Sequence, residues 1–344
     1  MLIGNFKERY EADEAIFRTT RSRVWLGVAV ALIVAFPFVG NSYHLYMAGL
    51  IGINIIAATG INILTGYTGL ISLGHAAFMG VGAYTVAWFS NHVGLPFYIC
   101  LPMGGLVAAA VGVVVGIPSL RIKGLYLAIA TLAAQFILGF VFNEWEPVTG
   151  GGRGTSLAPA EIGGIVLDTE FELYWLIVVV MVLAVVFARN LFRTRVGRAF
   201  IAVRDRDISA EVMGINLLHT KLTAFALSSF YAGLAGGLMA YFFKVVSPEQ
   251  YTFSVSIFML AAIVVGGMGT ILGGILGAIF MTLIPEILGE ITQVFGPGAV
   301  AMLSSGREVV FGLLIVGFLV FEPRGLAEIW KRIKRVYEIW PFRT

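Results

Sequence analysis

NILTGYTGLISLGHAAFMGVGAYTVAW, residues 62–88, is apolar enough to lie in a membrane but is not built like a plain lipid-facing helix. Glycine recurs at Gly66, Gly69, Gly74, Gly80 and Gly82, and Thr65, Tyr67, Ser72 and His75 interrupt the apolar run. In water each such glycine would weaken a helix by close to ~1 kcal/mol. In a membrane, small residues let helices approach closely, and a broken helix is tolerated where its backbone lines a cavity. The stretch reads as the inner wall of a transport path, with Thr65, Gly66, Tyr67, Gly69, Ser72, Gly74, His75 and Phe78 as candidate lining residues. Close helix packing alone would account for the same glycines, and composition does not separate the two.

The rest of the chain supports the membrane reading. Of its 344 residues 58% are hydrophobic and 12% charged, against roughly 25% charged in soluble domains. From Val24 to Leu120 there is no Asp, Glu, Lys or Arg, a length of about four crossings at ~20 residues each. The long apolar runs do not alternate as the strands of a membrane β-barrel would. The expected fold is therefore all-α and polytopic. Candidate spans lie at 24–40, 43–65, 68–91, 95–117, 124–143, 172–189, 220–243, 252–266, 270–289 and 308–321. The second and third nearly fuse, and the eighth and ninth are divided only by GGMGT at 266–270. Either pair could equally be one broken helix with a re-entrant piece. Ten spans, five on each side of a central loop, would permit two inverted halves, although no internal repeat is evident.

Charge sets the expected orientation. With the N-terminus cytoplasmic, residues 1–23 hold five basic residues, Arg121 and Lys123 add two, residues 189–221 hold seven, and residues 322–344 hold six. That places 20 of the 23 Lys and Arg on the cytoplasmic side, as the positive-inside rule requires. The basic residues thus flank apolar spans and do not form a nucleic-acid footprint. The chain divides into a cytoplasmic lead (1–23), a transmembrane domain (24–321) and a cytoplasmic interfacial tail (322–344) mixing Trp330, Tyr337 and Trp340 with Lys and Arg. The lead shows no signal-peptide core. The single cysteine, Cys100, says nothing of redox compartment.

Two loops are long. The outer one, 143–172, contains TGGGRG at 149–154 with Glu144, Glu146, Glu161, Asp168 and Glu170. It is not a phosphate-binding loop, because GxxxxGK[ST] needs a lysine that is absent. The inner one, 189–221, carries Ile201, Ile208, Val212 and Ile215 at helical spacing among charged residues, as one or two short amphipathic helices would. A positive-inside connector would explain the charge; docking of a cytoplasmic partner would also explain the length and patterning.

No acidic residue lies inside a span away from its ends, whereas proton-coupled carriers build relays from such groups. His75 has two readings: a polar ring beside the path, or a hydrogen bond to a neighbouring helix. No second His or Cys stands at helical spacing from it, so a metal site is not expected. A lone channel or carrier remains an alternative, and an enzyme is disfavoured because no nucleophile–base or paired-carboxylate set appears.

Further segments carry a resemblance: LRIKGLYLAIATL at 120–132, TGGGRG at 149–154, GRAFIAVRDRDISAEVMGINLLHTKLTAFALSSFYAGLAGGLMA at 197–240, VVGGMGTILGGILGA at 264–278 and FEPRGL at 321–326. With the 62–84 stretch, over about residues 45–326, they resemble the permease subunits of branched-chain amino-acid ABC importers of the LivM type. Urea and short-amide permeases share the pattern, so it specifies the permease more than its substrate. The resemblance implies a bacterial inner-membrane chain with both termini cytoplasmic, a second permease of the same fold and two cytoplasmic ABC ATPases. It also implies an external substrate-binding protein and surrounding lipid. ATP and Mg would be bound by the ATPases and no cofactor by this chain. It further implies a coupling helix ending in Ala-x-x-x-Gly. Ala210 and Gly214 have that spacing, with Arg198, Arg204, Asp205, Asp207 and Glu211 as candidate contacts.

Overall fold

The computed structural model describes residues 20–119, 124–162, 165–294 and, discontinuously, 312–339. The N-terminal lead up to residue 19, Arg121, Lys123, Arg307 and half of the 308–321 span lie outside the described residues. By contacts the chain separates into two units, 1–47 and 48–344. The first holds α1 (Thr20–Val39) and the start of α2 (Ser42–Ile61). There the Tyr43 and His44 rings meet edge-on, 5.9 Å apart.

In the second unit, α2 runs into a π-helical turn, Asn62–Tyr67, followed by non-helical backbone up to Gly74. Helix α3 (His75–Trp88) follows, closed by a π-turn at Phe89–Val93. Then come α4 (Phe97–Ser119), α5 (Leu125–Glu144) and the single turn α6 (Glu146–Thr149). Helix α7 (Glu170–Leu191) begins with a capping box in which Thr169 and Glu172 satisfy each other's backbone N–H groups. The short helices α8 (Arg195–Asp205) and α9 (Asp207–Val212) precede α10 (Leu217–Phe243). Helices α11 (Phe253–Gly266), α12 (Ile271–Val294) and α13 (Leu326–Ile339) complete the described elements.

The fold is all-α and polytopic. Among the described residues, seven helices are long and apolar enough to cross a membrane, not ten. The difference has three sources. The 308–321 span is described only in part. Of α1 (Thr20–Val39) only the Val30–Val39 stretch bears on that count, and it is short of a full crossing. The 68–91 span is corrected by the structure: residues 68–74 are not helical, and α3 has only 14 residues. Apolar composition cannot distinguish extended buried backbone from helix. Here Gly69 takes a left-handed φ of 74°, and the Thr65 and Thr68 hydroxyls donate to Leu70 O and Ile63 O (3.1 and 2.9 Å), which satisfies the open turn.

Helix α3 is the centre of the second unit, and glycine puts it there. A Cβ on Gly82 would lie 2.3 Å from Gly233 Cα of α10, and one on Gly236 would lie 1.9 Å from Met79 O. A Cβ on Gly104 of α4 would lie 2.9 Å from Gly82 O. These backbones touch, which is how helices associate where lipid offers no hydrophobic drive. The opposite helix faces carry exposed apolar residues, including Leu106 and Val114 on α4, Phe136 and Phe140 on α5, and Leu183 and Phe187 on α7. These are the surfaces a bilayer would solvate.

The 143–172 loop is not featureless. After α6, Gly150, Gly151 and Gly154 all take left-handed φ values of 64–75°. Strand β1 (Thr155–Ser156) pairs antiparallel with β4 (Val245–Val246), and β2 (Ala160–Ile162) with β3 (Ile165–Leu167). Lys244, itself left-handed at φ 58°, forms an ion pair with Asp168.

Candidate functional site

Two helix breaks among the described residues, at 62–74 and at 267–270, meet. Asn62 joins them: its Nδ2 donates to Thr270 O (2.8 Å) and its Oδ1 accepts from Gly269 N–H (2.9 Å). Asn54, two turns earlier on α2, donates to Thr282 Oγ1 of α12 (2.9 Å). The two asparagines meet α12 in reverse chain order, so α2 and α12 run antiparallel. Gly66 is required at the contact, since a Cβ there would lie 1.9 Å from Asn62 Oδ1 and 2.5 Å from Gly269 N.

A helix starting inside a membrane leaves N–H groups that only protein can satisfy. At α3 other helices supply them. Leu73 N–H donates to Thr131 Oγ1 (3.0 Å), Ala76 N–H to Ser256 Oγ (2.9 Å) and Ala77 N–H to Gln135 Oε1 (2.9 Å). Ser256 Oγ donates in turn to Gln135 Oε1 (3.0 Å), and Gln135 Nε2 to Tyr251 O (2.7 Å). His75 is 1% exposed, and its Nε2 lies 3.0 Å from Ala57 O. A carbonyl only accepts, so this nitrogen carries the proton. In this conformation the ring bonds to α2.

The other candidate lining residues lie in the same region. Thr65, Ser72 and Phe78 are buried, and Gly74 packs on Thr131, whose carbonyl would be 2.5 Å from a Cβ there. Tyr67 stacks flat on Phe192 at the end of α7, with 3.4 Å between ring centres and 11° between planes.

Helices α8 and α9 are set against this region by one side chain. Arg204 donates through Nη1 to Gly66 O (3.1 Å) and through Nε to Asp205 Oδ1 (3.1 Å). Its stem passes Gly69, and its guanidinium reaches Gly269, where an added Cβ would lie 2.7 Å from Nη1. Arg204 therefore touches both breaks. Arg198, Asp207 and Glu211 do not join it: Arg198 caps Arg193 O (3.0 Å), Asp207 accepts from Ile208 N–H (2.9 Å), and Glu211 is exposed.

The Ala210–Gly214 spacing has a backbone explanation. Gly214 is left-handed (φ 87°), its N–H donates to Glu211 O (2.9 Å), and Ile215 N–H donates to Ala210 O (3.0 Å). This is the Schellman closure of α9. It buries Ala210 and leaves Ile208, Val212 and Met213 70%, 82% and 83% exposed.

Sequence reasoning did not single out Asn62, Thr131, Gln135 or Ser256. The available signal was their polarity within apolar helices, where a polar side chain must find a partner.

The family model described as "Branched-chain amino acid transport system / permease component" matches residues 43–319. The LivM permease protein of the high-affinity branched-chain amino acid transport system of Escherichia coli K12 is 34% identical over 332 residues, 90% of this chain and 75% of the relative. A probable branched-chain amino acid transport permease protein LivH of Methanocaldococcus jannaschii is 26% identical, over 82% of this chain and 91% of that one. An autoinducer 2 import system permease protein LsrC of an Enterobacter species is 27% identical over 65% and 64%. No solved structure matches the chain. On the family match and the shared identity, this chain is a membrane-embedded permease and belongs to the permease-component family of the branched-chain amino acid transport systems.

Proposed function

We propose that this chain is one of two permeases of the same fold that form the path for branched-chain amino acids in an ATP-driven importer. An external binding protein delivers the substrate. Two cytoplasmic ATPases bind ATP and Mg and dock on α8 and α9, while this chain binds no cofactor. Both termini face the cytoplasm in this reading. The two breaks, one in each half of the chain, suit inverted halves with the path between them. Resemblance to the LivM relatives supports the substrate class.

One observation carries the coupling part of the proposal. The exposed apolar tip of α9 follows directly on α8, whose Arg204 grips both helix breaks. A force applied at Val212 and Met213 has a side-chain route to the backbone of Gly66 and Gly269.

The test is ATP hydrolysis by the complete reconstituted complex with leucine, with urea or with no substrate, each alongside its matching binding protein. Leucine stimulates in this reading. Gly214→Arg abolishes stimulation, because a long charged side chain enters the docking surface. Gly214→Asn, which tolerates the left-handed conformation, retains most of it. Stimulation by urea in place of leucine would keep the importer and change its substrate. Stimulation untouched by Gly214→Arg would leave α8 and α9 as a connector.

A further inference from the structure

One face of α3, formed by Ala77, Gly80 and Tyr84, looks onto α5 and the turn at Pro248–Tyr251. Near His75 the buried polar groups on this face are paired, through Ser256, Gln135 and the carbonyl of Tyr251. Farther along α3 the pattern changes. The hydroxyls of Tyr84 and Tyr251 are both buried, and neither has a hydrogen-bond partner among the described residues. Their rings lie 6.4 Å apart, and Tyr84 lies 4.9 Å from Phe142. Gly80 makes the room, since a Cβ there would come 2.6 Å from Phe142 Cε2 and 3.1 Å from Tyr251 Cγ. The TGGGRG loop adjoins α3 through α6, whose Thr149 is buried.

An unpartnered buried hydroxyl costs free energy, and native proteins carry few of them without a reason. Two in one aromatic cluster, beside the paired Ser256 and Gln135, indicate a partner that comes and goes. Phenylalanine would fill either site with the same shape and without the penalty. We propose that Tyr84, Tyr251 and Phe142 form a substrate subsite, closed in this conformation. The two hydroxyls take the polar end of the substrate and the aromatic rings take its aliphatic end. A phenol both donates and accepts, so the pair can donate to a carboxylate and accept from an ammonium without a buried counter-charge. The choice of an aliphatic amino acid as occupant rests on the function proposed above; the subsite itself rests on the two hydroxyls.

The experiment uses the complete importer in liposomes with its loaded binding protein. Labelled leucine uptake and thermal unfolding are compared for native protein, Tyr84→Phe, Tyr251→Phe and the double variant. The double variant lowers leucine uptake about tenfold, as expected for lost hydrogen bonds to charged groups. The unfolding temperature is equal or higher. Uptake within twofold of native in the double variant overturns the subsite. So does a fall in unfolding temperature in step with uptake, which would make the hydroxyls structural. 3-Fluorotyrosine at position 84 separates the subsite from its occupant. A fluorine shift with the leucine-loaded protein supports both. A shift only with a urea-loaded protein keeps the subsite and overturns the amino-acid assignment. A shift with neither overturns the subsite.

Discussion

The break at 62–74 and the break at 267–270 solve one problem by opposite means. The first is long and satisfies much of its own backbone, through Thr65, Thr68 and Ser72. The second is GGMGT, with little side chain of its own. Thr270 closes it locally, accepting from Gly273 N–H and donating to Gly267 O (both 3.0 Å). The rest is borrowed: Asn62 hydrogen-bonds Gly269 N–H and Thr270 O, and Arg204 and Gly325 pack against the break, an added Cβ on Gly325 lying 2.5 Å from Gly267 N. A self-supporting break can hold its shape while neighbours move. A borrowed one takes its shape from whatever grips it, which makes 267–270 the responsive partner.

Substitutions can test that difference. Gly66→Ala has the largest expected effect, because its methyl would displace Asn62 from both breaks at once. The folded state should lose more than ~4 kcal/mol, read as loss of a monodisperse peak in detergent. Gly274→Ala is its control: the nearest atom would be 3.6 Å away, an ordinary contact, and the protein should behave as native. Asn62→Ala leaves Gly269 N–H and Thr270 O unpaired, at about 2–4 kcal/mol in total, and should lower the unfolding temperature measurably. If it does not, the second break supports itself and the contrast fails. Arg204→Lys keeps the charge but loses the planar fork. It should cost about 1 kcal/mol or less in stability, while substrate-stimulated ATP hydrolysis falls several-fold. The smallest effect belongs to Asp205→Ala. The Arg204–Asp205 pair is exposed, so its loss should change stability by under ~0.5 kcal/mol. A larger change would mean that Asp205 orients Arg204 on Gly66.

What could be read beforehand follows the same physics. Hydropathy located the long helices to within a few residues, and the glycine density at 66–82 marked an unusual segment. The Ala210–Gly214 spacing came from the family resemblance, and its physical reason is local: one left-handed glycine closes one helix. The 68–91 span was misread because Leu70, Ile71 and Leu73 look the same in a helix as in buried extended backbone. Asn62 with Gly269 and Gln135 with Tyr251 could not be paired, since neither sequence spacing nor composition encodes a contact so far along the chain. Arg204, in the run RDRD, resembles any solvated surface charge. Only its placement over Gly69 distinguishes it from Arg206, two residues on.

The glycine seam around α3 also bears on how the protein is made. A 14-residue helix rises about 21 Å, short of the ~30 Å hydrocarbon layer. Helix α3 is thus a poor candidate to partition into lipid by itself as it leaves the insertion machinery. The surfaces that hold it, the backbones of Gly104 on α4 and of Gly233 and Gly236 on α10, are synthesised later, the last of them after the whole 143–172 loop. Until α10 arrives, the central helix of the second unit lacks half of its seat. Biogenesis therefore includes a waiting period in which the central segment is translated but not yet home, and truncation before Gly233 should leave it open to membrane proteases.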